Sequence, residues 1–171
     1  MKNKKTIAVL LVGSGILTIG ICAVMNLYLI PRIESSTQGI KCFDMNIAYS
    51  YDEASRFLSL LSETGKNTYL TRQLPLDFFY PIAYGVFFAF LMITLSGKKT
   101  KMIVVPLLLA AFDYCENICV CRMLTSDSLS RTIVSIASAA TMIKTILMYL
   151  CILLILFLLI KRIATARKKK N

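Results

Sequence analysis

Four stretches of this chain are long and apolar enough to demand a bilayer rather than water. They run from about Thr6 to Ile30, Leu76 to Leu95, Met102 to Cys121 and Ile133 to Ile160. Each reaches the ~20 residues that a helix needs to cross a hydrocarbon core ~30 Å thick. With no water inside such a core, every backbone N–H and C=O must be satisfied within the segment, which leaves helices or a closed barrel. Uninterrupted apolar runs of this length favour helices. The expected fold is all-α: an integral membrane four-helix bundle forming one domain over residues 1–171, with segment 31–75 outside the membrane.

The linkers agree with this. "SGKKTK" and "RMLTSDSLSRT" are short enough to join neighbouring antiparallel spans. The first span resembles a signal peptide in its charged start, but its apolar core exceeds the usual ~7–15 residues and no small-x-small cleavage site follows. A retained helix ending at Pro31-Arg32 is expected. Gly13, Gly15 and Gly20 with Ser14 give it a small-residue face for close helix packing.

The charge pattern sets an orientation. The net charge is +11. Twelve of the basic residues fall in three blocks free of acids: Lys2, Lys4 and Lys5; Lys98, Lys99 and Lys101; and Lys161, Arg162, Arg167, Lys168, Lys169 and Lys170. Residues 31–76 are balanced, with five basic and five acidic side chains. Basic excess on alternating connections is the positive-inside pattern, so both termini are expected in the cytoplasm, with the chain in the cell membrane. The excess then needs no nucleic acid to explain it. The tail is expected to meet anionic lipid headgroups.

The outside segment carries one amphipathic helix. In "SYDEASRFLSLLSETGKN", Ser50 and Glu53 have capping-box spacing, Phe57, Leu58 and Leu61 share an apolar face, and Gly65 suits a C-terminal stop. Such a helix would lie on the outer membrane surface or lid the bundle.

Ionisable groups within the spans mark the candidate site. In "DYCEN", Asp113, Glu116 and Asn117 share one helix face through i, i+3 and i+4 spacing. Asp113 is eleven residues past Met102, about 16 Å into the membrane. Lys144 is eleven residues past Ile133, so on an antiparallel neighbour it stands level with Asp113 or Glu116. Pairing with one of them would offset the cost of a charge at that depth and leave the other acid over. In "PLDFFYPIAYG", Asp77, Tyr80 and Tyr84 follow i, i+3, i+7 spacing, with Tyr84 about level with Glu116. Pro81 has no N–H and frees the carbonyl of Asp77. Taken alone, Asp77 reads as a helix cap at the outer boundary. The tyrosines read either as an interfacial belt or as a wall of the polar site.

Several chemistries find no support. The chain has no histidine, which removes imidazole bases and His-based zinc sites. There is no Gly-rich phosphate loop. Asp77, Asp113 and Glu116 span too much depth for an oxygen-ligated metal site, so neither metal nor cofactor is expected. The six cysteines include no Cys-x-x-Cys pair, and Cys119 and Cys121 point apart on a helix. They read as buried hydrophobes, with a Cys42–Cys121 disulfide as the minor alternative.

With "YLTRQLPLDFFYPIAYG" and "DYCEN" in place, the chain resembles a group of small bacterial four-span membrane proteins of unestablished function. That group shares an aromatic, Asp-containing start to span two and an Asp-x-x-Glu-Asn motif in span three. The resemblance covers about residues 50–120 and implies one site holding Asp77, Tyr84, Asp113, Glu116 and Asn117. It implies no reaction. The favoured function is a non-enzymatic binding or structural role for the acidic/Lys cluster. Two alternatives stand beside it: a lipid-modifying enzyme with Asp113 or Glu116 as acid/base, and a proton-coupled carrier acting as an oligomer. The expected partners are membrane lipids and a second copy or another membrane protein.

Overall fold

Every regular element among the described residues is a helix: α1 (Lys2–Val24), α2 (Ile30–Glu34), α3 (Tyr51–Leu60), α4 (Glu63–Thr68), α5 (Leu74–Ser96), α6 (Val104–Thr125) and α7 (Arg131–Lys168). The structure, a computed structural model, describes residues 2–97 and 100–168, with side chains at 5–97 and 100–167. Lys98 and Lys99 of the α5–α6 turn, and Lys169 and Lys170 of the tail, lie outside the described residues, as do the side chains of Lys2, Lys4 and Lys168. Joined end to end, the elements make four helices long and apolar enough to cross a membrane: Lys5–Thr37, Glu63–Ser96, Lys101–Thr125 and Arg131–Arg167. The bundle thus has a basic end, carrying Lys5, Lys101 and Lys161, and a capped end formed by residues 35–62.

A seven-residue repeat builds the central pair. On α6 the buried positions include Pro106, Leu109, Asp113, Glu116, Val120 and Met123. On α7 they include Val134, Ala137, Thr141, Cys151 and Leu158, with Lys144 in step between them. Alternating spacings of three and four keep one seam facing the partner helix, as in a coiled coil. The two acids and the lysine therefore occupy core positions of the seam.

Helix α5 packs against α6 and α7 on one side and against α1 on the other. Gly15 makes the α1 contact: a Cβ there would come within 3.0 Å of the Phe87 ring. The wider small-residue face is not used. Gly13 and Gly20 have nothing within 4 Å of a Cβ position, so of the three glycines only Gly15 marks a close approach to α5. At the basic end, Gly97 closes α5 in the left-handed conformation and donates its N–H to Ile93 O at 3.1 Å.

Pro31 does not stop the first helix. Residues Met25–Leu29 form a π turn in which Ile30 N–H reaches back five residues to Met25 O. The widened turn makes room for a proline ring that would clash with a carbonyl four residues back. The same device recurs at Tyr69–Gln73, where Leu74 N–H bonds to Tyr69 O and Pro75 follows. The two π turns pack against each other. Through the second, α4 runs into α5 without a break.

The segment between the first two spans folds onto the bundle. Ser50 and Glu53 form the capping box of α3, with Glu53 Oε2 accepting from Ser50 N–H at 2.7 Å. Phe57 and Ala54 turn inward beside Phe43, Tyr49 and Tyr69, with neighbouring ring centroids 4.7 to 6.4 Å apart. Leu58 and Leu61 pack at the edge of this cluster. The apolar face of α3 is thus consumed by the protein itself. The helix ends at Leu60 rather than at Gly65. Gly65 lies inside α4, where a Cβ would overlap Ser36 Oγ and come within 2.8 Å of Ser36 Cβ, so only glycine admits this close crossing.

Candidate functional site

Lys144 is the hub of a polar cluster beneath the cap. Its Nζ is 3.3 Å from Asp113 Oδ1, 3.5 Å from Asp44 Oδ1, and in closest contact with Glu116 Oε2. The sequence allowed Lys144 one partner on span three; it has both, and a third from the segment between spans one and two. Neither DYCEN acid is therefore left over. Both fit because they are successive core positions of the α6 seam, with Lys144 between them on α7. Glu116 is fully buried, and Thr141 donates to its Oε1 at 2.6 Å. Asp113 Oδ2 accepts from Tyr84 OH at 2.7 Å. Tyr84 thus meets Asp113, one turn deeper than the level of Glu116 expected from counting residues along span two.

Asp44 is the member that sequence reasoning missed. It sits on a short 3-10 turn, Phe43–Met45, anchored on both sides. Phe43 is buried in the aromatic cluster, Cys42 N–H donates to Glu34 Oε1 at 3.0 Å, and Asn46 donates to Cys42 O at 2.9 Å. Tyr69 OH donates to Asp44 Oδ2 at 3.3 Å. The one local signal is an acid set among apolar neighbours in "CFDM". Which loop lies over Lys144 is a tertiary fact.

Asp77 does not cap a helix, because the helix carrying it starts at Glu63. It is 5% exposed, and Gln73 donates to its Oδ2 at 3.0 Å from the second π turn. Its backbone carbonyl, freed by Pro81, accepts from Asn117 Nδ2 at 2.9 Å. Asn117 thereby completes the hydrogen bonding of a different helix instead of joining the ion cluster of the DYCEN acids. Tyr80 stacks edge-on against Tyr84, with centroids 5.0 Å apart at 77°. Both tyrosines belong to the site rather than to an interfacial belt: Tyr84 is buried and Tyr80 half-buried beside it.

A cleft of about 290 Å³ opens beside these groups. Asp44, Asp77, Asp113, Lys144, Tyr80 and Tyr84 supply its polar wall. Met25, Asn26 and Ile30, in and just after the first π turn, and Thr145, Met148 and Tyr149 of α7 complete its lining. Glu116 does not line it. Three carboxylates and one ammonium therefore face a space about the size of a small headgroup.

Outside the spans, burial first and then Asp44, Glu34 and Asp77 push the Cys42 thiol well above its ordinary range. All six cysteines are free thiols, so Cys42 and Cys121 are not joined. Among the described residues, no group of three or more His, Cys, Asp or Glu is arranged to hold a metal ion. No protein-family model, no curated protein and no solved structure matches the chain.

Proposed function

We propose that the chain is a non-enzymatic multi-pass membrane protein that binds a positively charged group in the cleft beneath its cap. One observation carries this: Asp44, Asp77 and Asp113 line the cleft, and Lys144 is the only cation in that wall among the described residues. Glu116 claims the same lysine from behind. Buried carboxylates without compensating charge are costly, so such a wall favours a cation over a neutral or anionic ligand. Met25, Ile30 and Met148 give the lining an apolar side next to the acids. An amphiphile with an ammonium head fits both features. With the termini in the cytoplasm, as the positive-inside reading has it, the cleft lies in the outer half of the cell membrane. The resemblance to small four-span bacterial proteins belongs with this reading, since the shared motifs supply Asp77, Tyr84, Asp113 and Glu116.

The lipid-modifying alternative draws on the same cleft, with one change. Glu116 is shielded behind Lys144, so Asp113, with Tyr84 on its other oxygen, is the acid within reach of a bound lipid.

The test compares a long-chain primary amine with the alcohol of equal length, added to the purified protein in neutral-lipid nanodiscs. The amine should raise the melting temperature and the alcohol should not, and Asp77→Asn should remove the difference. Equal shifts from both compounds would overturn the reading.

A further inference from the structure

A second cleft, of about 580 Å³, lies at the basic end, away from the acidic one. Three elements form it: the end of α5, the start of the third span and the last turns of α7. It is a junction rather than a surface dent, because Arg162 Nη1 donates to Thr94 O at 2.7 Å and ties α7 to the end of α5. That carbonyl belongs to the last turn of α5, where helix geometry leaves carbonyls without an intrahelical donor.

The lining is divided by chemistry. Leu158 is buried, Leu95 and Met102 are half-buried and Phe157 is exposed, and together they make the apolar side of the lining. Lys161, Arg162, Thr100 and Thr165 make a rim of cations and hydroxyls. The charge around it is one-sided: residues 78–112 and 128–171 contain no Asp or Glu, and Lys101 and Arg167 stand next to the lining residues in sequence. Along α7 the change from apolar side to rim falls at Ile160–Lys161, where the apolar run stops. A hydrocarbon–water boundary would fall at the same point.

We propose that this cleft is a headgroup site for an anionic phospholipid of the surrounding bilayer. Lys161 and Arg162 hold the phosphate, Thr100, whose hydroxyl accepts from Met102 N–H and keeps its own hydrogen, donates to it, and an acyl chain lies over Leu158 and Phe157. A phosphate takes hydrogen bonds from such a set, and each basic group near an anionic headgroup adds roughly five-fold to binding. A lipid there also bridges the end of α5 and the start of the third span to α7 and stiffens the basic end of the bundle.

Native mass spectrometry of the full chain, released from detergent with added phosphatidylglycerol or phosphatidylcholine, tests this. Phosphatidylglycerol should be retained about five-fold better or more. Lys161→Gln should reduce that retention about five-fold, while Arg131→Gln at the capped end leaves it unchanged. Arg162 is kept intact because it also holds α5. Thr100→Val, which removes a donor without removing charge, should lower retention by a smaller factor. Equal losses in Lys161→Gln and Arg131→Gln would overturn the proposal, since attraction to overall charge would then suffice. Displacement of the lipid by millimolar inorganic phosphate would also overturn it, because the cleft would then be a simple anion site.

Discussion

The bond from Asn117 to Asp77 O gives a sharp test of how two helices share one hydrogen-bond deficit. Pro81 removes the N–H that would have bonded this carbonyl, and Asn117, 1% exposed on α6, supplies the replacement at 2.9 Å. Asn117→Leu roughly keeps the volume and removes the donor, leaving a buried carbonyl unsatisfied. Such a loss costs about 1–3 kcal/mol in general. Interhelical hydrogen bonds in membrane proteins average ~0.6 kcal/mol, so the lower half of that range is expected. Pro81→Ala returns an N–H four residues along the same helix. In the Pro81→Ala background, Asn117→Leu should therefore cost less than half as much, a coupling on the order of 1 kcal/mol. Reversible SDS unfolding in mixed micelles measures all four corners of the cycle. Far-UV circular dichroism is the suitable readout, since the chain has no tryptophan. Additivity within ~0.3–0.5 kcal/mol would refute the reasoning and mean that Asn117 acts through some other contact.

Three further outcomes concern the ion cluster, the cap thiol and the close crossing. Lys144→Met leaves the carboxylates of Asp44, Asp113 and Glu116 without their shared cation; it should cost about 3–5 kcal/mol in the same unfolding assay, and adding Glu116→Gln should recover part of that. Cys42 is 1% exposed and its thiol is pushed up, chiefly by burial, so maleimide labelling should be slow and still accelerating above pH ~9. Because its folded pKa is raised, the linked stability is fully present below the ordinary thiol pKa and is lost as pH rises from there toward the folded value; labelling that levels off near pH ~9 would contradict this. Gly65→Ala drives a Cβ into Ser36 and should destabilise by about 1–3 kcal/mol, with Ser36→Gly restoring most of the loss in thermal melts.

The spans were legible because the signal is a length of apolar chain, which a bilayer reads in the same way as an eye does. Lys144 and the DYCEN acids were legible for the opposite reason: a charge at that depth is conspicuous. What failed were inferences that treated a local residue as decisive. Pro31 was expected to end a helix and instead follows a π turn that absorbs it. Gly65 was expected to end another and instead marks a crossing. Asp44 could not be found, since nothing in its neighbouring residues says that their loop descends onto a lysine a hundred residues away. The heptad seams of α6 and α7 were present in the letters. Reading Ala137, Lys144, Cys151 and Leu158 as one seven-residue column would have placed Lys144 in the core directly.

The paired π turns bear on how such a chain tolerates change in length. Each contains one residue more than an α-helical path would need, and each is backed by the other. A single deletion within Tyr69–Gln73 would let that turn close to an α-helical one while the segments on either side keep their facing. The same deletion inside α4 or early in α5, where no residue is spare, would rotate one side against the other by about 100° and part Gly65 from Ser36. Across descendants of this sequence, single-residue gaps should collect in these two turns and be rare in the helices that flank them.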